Sequence, residues 1–324
     1  MLEGDVIRCD SILVFGAKDH IGSELVKHIK KVAPHINLRL ATHKMEGLLT
    51  LKKMFPEEEV VCADFFDKPS LLAAVQGMEG IFQISPDVFH EDNLVNNMLD
   101  VCEAAGTVKH IIRILGTPPG ATLDLLPKAL KKFRYYPAMQ HLVATQRYQD
   151  SDLPVTFVNV AGYYMDDFTR MFSPSLYEEK TIRVAFDKRL AWVDHVDVAQ
   201  VSAELLLSCK PENFRKIIDL TGPDILKFSQ VAELFTKTLG VEVSYDGDEQ
   251  RFFQAIKPVF TALWGEAAPE YFMKYFEWET EHDHMFKVTG FVKEILNREP
   301  TSFRAWILRN EDLLMDKWGM LETV

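Results

Sequence analysis

No stretch of the sequence stays apolar for the roughly 18 residues that a membrane-spanning helix needs. The opening residues MLEGDVIRCD carry acids where a secretory leader has a basic start and an apolar run. A soluble, cytoplasmic protein with no membrane partner is the expectation. Cysteine is scarce: Cys9, Cys62, Cys102 and Cys209 are scattered without any CxxC spacing. Neither a disulfide framework nor a thiolate metal site is indicated, and the four read as reduced, mostly buried thiols. Basic charge is also in short supply. A formal net charge of −12 repels phosphate backbones, and the KKFR run at 131–134 is too short to offset it, so nucleic acid is not an expected partner. No repeat or low-complexity tract stands out, which sets aside solenoids and flexible tails. What remains is an ordinary globular composition, 47% hydrophobic and 26% charged over 324 residues. That length suits one large α/β domain carrying a smaller appended lobe.

Residues 12–15 form a short apolar run, a Gly-bearing turn follows, and Ile21, Leu25, Ile29 and Val32 then recur at helical spacing. Further short apolar runs at 38–41, 60–63, 80–84, 110–115 and 155–160 read as buried parallel strands. Between them Leu71, Leu72, Val75 and Met78, then Leu94, Met98, Cys102 and Ala105, make helical stripes, and 137–150 reads as another helix. This alternation predicts a Rossmann-type doubly wound parallel sheet with right-handed crossovers. After Gly162 the pattern changes: 163–177 is aromatic and irregular, and 181–193 predicts a short hairpin through Asp187 and Lys188. Val198, Val201 and Leu205 restore a helix and 216–220 a strand. Ser229 is the expected N-cap of a helix that ends at Gly240. From Asp246 onward, aromatic residues at helical spacing predict a smaller, mainly helical cap. The expected division is a dinucleotide-binding core at 1–160, continued at about 190–225, with 161–189 and 226–324 as the substrate-binding cap.

Ligands of an open α/β sheet sit beyond the carboxyl ends of its strands, and the first loop places pyrophosphate at a helix N-terminus. The run Gly16-Ala17-Lys18-Asp19-His20-Ile21-Gly22 has this form. Here the chain resembles the NmrA-like branch of the atypical short-chain dehydrogenases/reductases, whose first loop reads GxxGxxG. The two outer glycines are kept and Asp19 replaces the middle one, bringing bulk and negative charge where backbone approaches phosphate. The segments VVCADFFDKPSLLAAVQGMEGIFQIS, WVDHVDVAQVSAELL and LTGPDILKFSQVAELFTKTLGVEVSY resemble later parts of the family in the same order. The resemblance implies a cofactor held by Gly16, Lys18, Asp19, Ile21, Gly22, His43, Lys44, Asp64 and Ser85. Thr42-His43-Lys44 offers cations and no acid for a ribose 2′-hydroxyl, which favours NADP(H) over NAD(H).

None of Tyr135, Tyr136, Tyr148, Tyr163 or Tyr164 has a lysine four positions later, so the usual TyrxxxLys pair is absent. In the isoflavone-reductase and quinone-reductase-like relatives, a lysine or histidine lies fifteen residues before the threonine of a "gipyT" segment. His141 stands fifteen residues before Thr156. The resemblance points to it as the acid/base or substrate-orienting group, with Tyr164 as a possible second donor. The loop AGYYMDDF replaces a family segment resembling "rpgfFmeN" and offers Tyr163, Tyr164 and Met165 as pocket walls. Leu115 falls where many relatives carry a strand-end serine, and Thr117 is the nearest substitute. Glu281-His282-Asp283-His284 lacks the HExxH logic and reads as a solvated loop, so no metal is expected. Asp166 and Asp167, as neighbours, point apart, and Asp194 and Asp197 read as caps of the following helix. Three functions fit. They are an NADPH-dependent reductase of a hydrophobic small molecule, a non-redox isomerase or cyclase working through His141, and a dinucleotide-sensing regulator without catalysis.

Overall fold

The computed structural model describes residues 8–18, 20–85 and 90–320. Its main sheet takes β1 (Ser11–Phe15), β2 (Asn37–Thr42), β3 (Glu59–Cys62), β4 (Gly80–Gln83), β5 (His110–Leu115) and β6 (Val155–Val160). The shorter strands β7 (Tyr163–Tyr164), β8 (Thr181–Arg183) and β9 (Leu190–Val193) lie outside it, and β10 (Ile217–Leu220) rejoins it. The seven strands run in the order β10-β6-β5-β4-β1-β2-β3, all parallel. The expected doubly wound sheet is therefore present.

β1 is buried at every position. Ile12 and Val14 pack into one core, and Leu13 and Phe15 into another, which is the alternation of a strand covered on both faces. The first core is closed by α1 (His20–Val32) and α8 (His195–Ser208), the second by α3 (Lys68–Val75), α4 (Glu91–Ala105) and α6 (Pro137–Gln149). On α1, Ile21, Leu25 and Ile29 are fully buried, each contributing about 1.5–3 kcal/mol by leaving water. Val32, the expected last member of that stripe, is 48% exposed, because the helix has run past the sheet by then. Met78 is likewise no part of α3 and is buried in the turn after it. Helix α2 (Met45–Met54) shows no apolar stripe in the sequence because it buries only Leu51 and leaves Met45 and Leu49 in solvent.

Helix α1 sits close to the sheet because of two glycines. Gly16 turns the chain at φ +75°, where a Cβ would also lie 2.6 Å from Ile84 Cγ2. A Cβ on Gly22 would lie 2.2 Å from the Gly16 carbonyl oxygen, a backbone atom that cannot swing aside.

A third, more aromatic core is built from α5 (Lys128–Lys131), α7 (Ser173–Glu179), α9 (Phe228–Leu239), α10 (Glu249–Trp264) and α11 (Ala268–Glu281). The short helices α13 (Phe303–Arg309) and α14 (Glu311–Lys317) join it, while α12 (Phe291–Leu296) packs Val292 into the first core. Its centre is a cluster in which the Phe168 ring meets Trp192, Phe228, Phe235 and Phe303 at centroid distances of 5.3–6.3 Å. The hairpin expected at 181–193 does not form. β8 pairs in parallel with β12 (Ser244–Asp246), and β9 pairs with β7 and with β11 (Ile225–Leu226). Each strand finds a longer-range partner because Asp187 and Lys188 are drawn inward rather than left at an exposed tip. The Asp187 carboxylate accepts hydrogen bonds from the Ser229 backbone N–H (3.0 Å) and Oγ (2.6 Å). Ser229 is thus inside α9 instead of capping it, and a carboxylate distant in sequence satisfies a donor of the first turn.

Gly22→Ala is expected to destabilise the protein by about 2 kcal/mol, as overpacking against immovable backbone does. Urea unfolding of the two proteins checks this. An unchanged midpoint would show that α1 can shift away from the Gly16 carbonyl.

Candidate active site

A cavity of about 500 Å³ opens where β1, β4, β5 and β6 end. His20, Ser85, Gly116 and Gly162 come from the loops after those strands, and α10 and α11 form the facing wall with Phe260, Trp264, Phe272 and Phe276. Carboxyl-end placement is where an open α/β sheet binds its ligands. The lining is mainly apolar, with a few polar groups at defined points, as in small-molecule sites generally. At the mouth, Val259 and Leu263 are 39% and 63% exposed.

On the strand side, α6 begins with Pro137 in its first turn and carries His141 into the cavity. Gly116 lies against the ring, its Cα hydrogen pointing where a Cβ would make ordinary contact with His141 Nε2 at 3.6 Å. The other ring nitrogen, Nδ1, is buried and makes no hydrogen bond. Burial, with the Arg113 guanidinium adding to it, pushes the imidazole down to about 3. The surroundings of His141 therefore favour the neutral imidazole at physiological pH. Arg113 is wholly buried beneath the cavity, 2.6 Å from Glu91 Oε1, and the same oxygen accepts from Ser85 Oγ at 2.6 Å. This ties the cavity-lining Ser85 to the start of α4.

On the cap side lies a second polar group that sequence reasoning missed. The Tyr163 hydroxyl donates to Glu279 Oε2 at 2.7 Å, and the Lys188 ammonium reaches the same oxygen at 2.5 Å and Tyr163 Oη at 3.3 Å. Lys188 also lies over the Phe276 ring at 4.0 Å. Burial pushes the Lys188 ammonium down while Glu279 opposes it. Burial and the Glu279 charge hold the Tyr163 phenol well above its ordinary range. A tyrosine and a lysine do meet, then, but 25 residues apart in sequence and sharing a carboxylate. No spacing rule detects such a pair. Only Tyr163 and Glu279 of the three line the cavity.

At the first loop, Gly16 and Lys18 are exposed, Gly22 is buried against the turn, and Ile21 is wholly buried in the core, where its side chain serves packing. Asp19 lies outside the described residues. His43 and Lys44 are exposed just after β2. Asp64 follows β3, where its Oδ1 accepts from the Phe66 N–H at 2.9 Å. Tyr164 lines the cavity with its ring edge-on to His20 at 4.8 Å. Met165 and Thr117 do not line it. Met165 is fully buried in the aromatic core, and Thr117 turns toward Asn159, whose Oδ1 accepts from its backbone N–H at 3.0 Å. Asp194 caps α8 by accepting from the Val196 N–H at 3.2 Å, as expected. Asp197 instead is buried and binds Arg298 at 2.6 Å and the Thr301 N–H at 2.7 Å. Asp166 pairs with His20 while its neighbour Asp167 lines the cavity. His20 is the loop residue the sequence reading passed over. The signal available was its place directly before Ile21 at the start of α1.

Two outcomes follow. Lys188→Met leaves the Glu279 carboxylate buried without its cation and is expected to destabilise the protein by about 3–5 kcal/mol, whereas Lys188→Met with Glu279→Leu restores most of the loss. Chemical denaturation of both variants measures this, and a harmless single variant would mean that Glu279 is not ionised. Between pH 6.5 and about 3 the unfolded chain takes up a proton at position 141 that the folded chain refuses. Stability therefore falls as pH drops through that window, and His141→Gln flattens the slope. Equal slopes for the two proteins would mean that the ring titrates normally.

No protein-family model matches the chain, and no curated protein matches it either. Solved structures do. An NADPH-dependent quinone oxidoreductase from Escherichia coli superposes with a TM-score of 0.71 at 19% identity, over 92% of this chain and 98% of the other. The triphenylmethane reductase of a Citrobacter species gives 0.71 at 18% identity, over 96% and 100%. NmrA, a negative transcriptional regulator, gives 0.69 at 16% identity, over 95% and 98%. The chain thus has, along nearly its whole length, the fold of the NmrA-like atypical short-chain dehydrogenases/reductases that its sequence resembles.

Proposed function

We propose that the protein is an NADPH-dependent reductase of a flat, hydrophobic small molecule. The observation that carries this reading is one cavity running from His20, at the start of α1, to an aromatic wall on α10 and α11, at the carboxyl ends of the central strands. Support also comes from the solved relatives, among which the quinone oxidoreductase was crystallised with NADPH and the triphenylmethane reductase with NADP(H). The first loop suits such a cofactor in the groups it exposes: the Gly16 turn at positive φ for close approach of a diphosphate, Lys18 beside it, and His43 and Lys44 after β2 for a 2′-phosphate. In this reading residues 1–160 with about 190–225 hold the dinucleotide, and 161–189 with 226–324 hold the substrate.

When bound, NADPH supplies the hydride, which no side chain can provide. The chain's own residues orient and shield. Neutral His141 presents a hydrogen-bonding nitrogen at the strand side of the cavity. Tyr163 and Glu279 fix a polar substituent at the cap side, and the rings of Phe260, Trp264, Phe272 and Phe276 exclude water from a planar substrate between them. The unpartnered Nδ1 of His141 also favours a second reading, a non-redox isomerase in which that ring moves a proton within the substrate.

Trp264 lines the cavity, so NADPH is expected to quench the intrinsic fluorescence saturably, with a dissociation constant on the order of micromolar to tens of micromolar. Lys44→Glu is expected to weaken NADPH by about tenfold and NADH far less, through loss of the phosphate contact. Absence of NADPH binding by the native protein, with binding appearing only in Asp19→Gly, would overturn the reductase. Substrate turnover without cofactor would establish the isomerase.

A further inference from the structure

Beside the cavity, three side chains from distant parts of the sequence converge. His20 opens α1, Asp166 lies in the 3-10 turn at Met165–Thr169, and His195 opens α8. His20 Nε2 is 2.8 Å from Asp166 Oδ2, and His195 Nδ1 is 3.2 Å from Asp166 Oδ1. One ligand atom from each residue lies within 4.8 Å of those of the other two. The two imidazoles are stacked at 4.8 Å with an interplanar angle of 23°. Asp166 is 6% exposed.

A pair of ordinary His–Asp contacts does not account for these atoms. His20 Nε2, Asp166 Oδ1 and His195 Nδ1 are all buried, and none completes a hydrogen bond of acceptable geometry. Desolvated polar atoms left this way destabilise a fold unless something supplies the missing bonds. His20 in addition holds φ at +50°, a left-handed conformation that a histidine adopts only when its surroundings require it. The other charges facing the cluster do not complete these bonds. Asp194 Oδ1 lies 3.5 Å from His195 Nδ1, but its carboxylate is clamped by Arg309 at 2.6 and 2.9 Å. Arg170 approaches Asp166 Oδ2 only to 3.6 Å and is itself 54% exposed.

We propose that His20, Asp166 and His195 form a binding site for a divalent first-row transition metal ion. Two imidazoles and one carboxylate are a donor set for zinc, iron, cobalt or nickel rather than for magnesium or calcium, which prefer oxygen alone. Bonds of about 2.0–2.2 Å bring ligand atoms to roughly 3.3 Å apart in a tetrahedron. The histidine–aspartate separations, 2.8 Å to one carboxylate oxygen and 3.2 Å to the other, are within a small adjustment of that spacing, and all three ligand atoms already lie within 4.8 Å of one another. His20 and the Tyr164 ring against it line the cavity, so the ion stands at its edge with water, or an oxygen of a ligand in the cavity, completing the coordination. The site does not depend on the cofactor reading.

The test uses the full chain, stripped with EDTA and titrated with Zn²⁺ by calorimetry and with Co²⁺ by visible absorption. One equivalent is expected to bind, Co²⁺ giving ligand-field bands of a nitrogen- and oxygen-coordinated ion. His20→Ala and His195→Ala each lower the affinity by about 100-fold, the scale of losing a metal-site interaction. His282→Ala with His284→Ala, two histidines outside the cluster, leaves it unchanged. Zn²⁺ raises the melting temperature of the native protein and not of the two histidine variants, a readout that also shows each variant to be folded. The proposal fails if the native chain binds no equivalent of either ion, or if binding survives both histidine substitutions.

Discussion

The contact of Gly22 with the Gly16 carbonyl is the constraint on which the rest of the molecule hangs. With no side chain between them, α1 lies close against the end of β1, and its first residue is brought to the rim of the strands rather than out into solvent. The helix then buries Ile21, Leu25 and Ile29 against the same sheet face that α8 covers. Seating α1 and α8 on one layer is also what sets the two histidines at their amino ends side by side. A local steric fact about two residues therefore reaches as far as the corner of the cavity, through rigid elements rather than through any chain of polar contacts.

How legible the protein was depends on how local each feature's cause is. The sheet strands announce themselves because a strand covered on both faces must be largely apolar, and β5 and β6 begin and end where their apolar runs do, even with Arg113 and Asn159 buried within them. α2 was silent for the opposite reason, as a surface helix that buries one leucine has no stripe to show. The region after Gly162 misled because its pairings are long-range. Residues 181–193 have the composition of a hairpin, but β12 and β11 outcompete the local partner. The candidate site shows the same split. His141, Ser85, Tyr163 and Tyr164 were found from motif positions and do line the cavity, while Glu279 and the aromatic wall come from helices whose motifs say only that they pack. Lys188 was read as a turn residue. Its burial follows from Glu279, 91 residues away, which no periodicity can reveal.

Charge is distributed in the interior with a consistent economy. Arg113 with Glu91 and Lys188 with Glu279 are each nearly or wholly buried, and each pair includes or adjoins a cavity-lining residue. Such pairs contribute little net stability compared with an apolar replacement, but they tolerate few alternative arrangements because a displaced charge would be left unpaired. Their value here is positional: they hold Ser85 on one side of the cavity and Tyr163 on the other.

The mouth of the cavity is of a different character. Val259 and Leu263 present bare hydrocarbon to water there. An apolar molecule arriving at that lip is captured by shedding water, a short-range process with no field to steer it. Its entry is accordingly little touched by ionic screening, whereas an anion approaching the exposed Lys18 and Lys44, just after β1 and β2, feels every added ion. The cavity mouth and the basic groups after β1 and β2 thus answer to different properties of the surrounding solution.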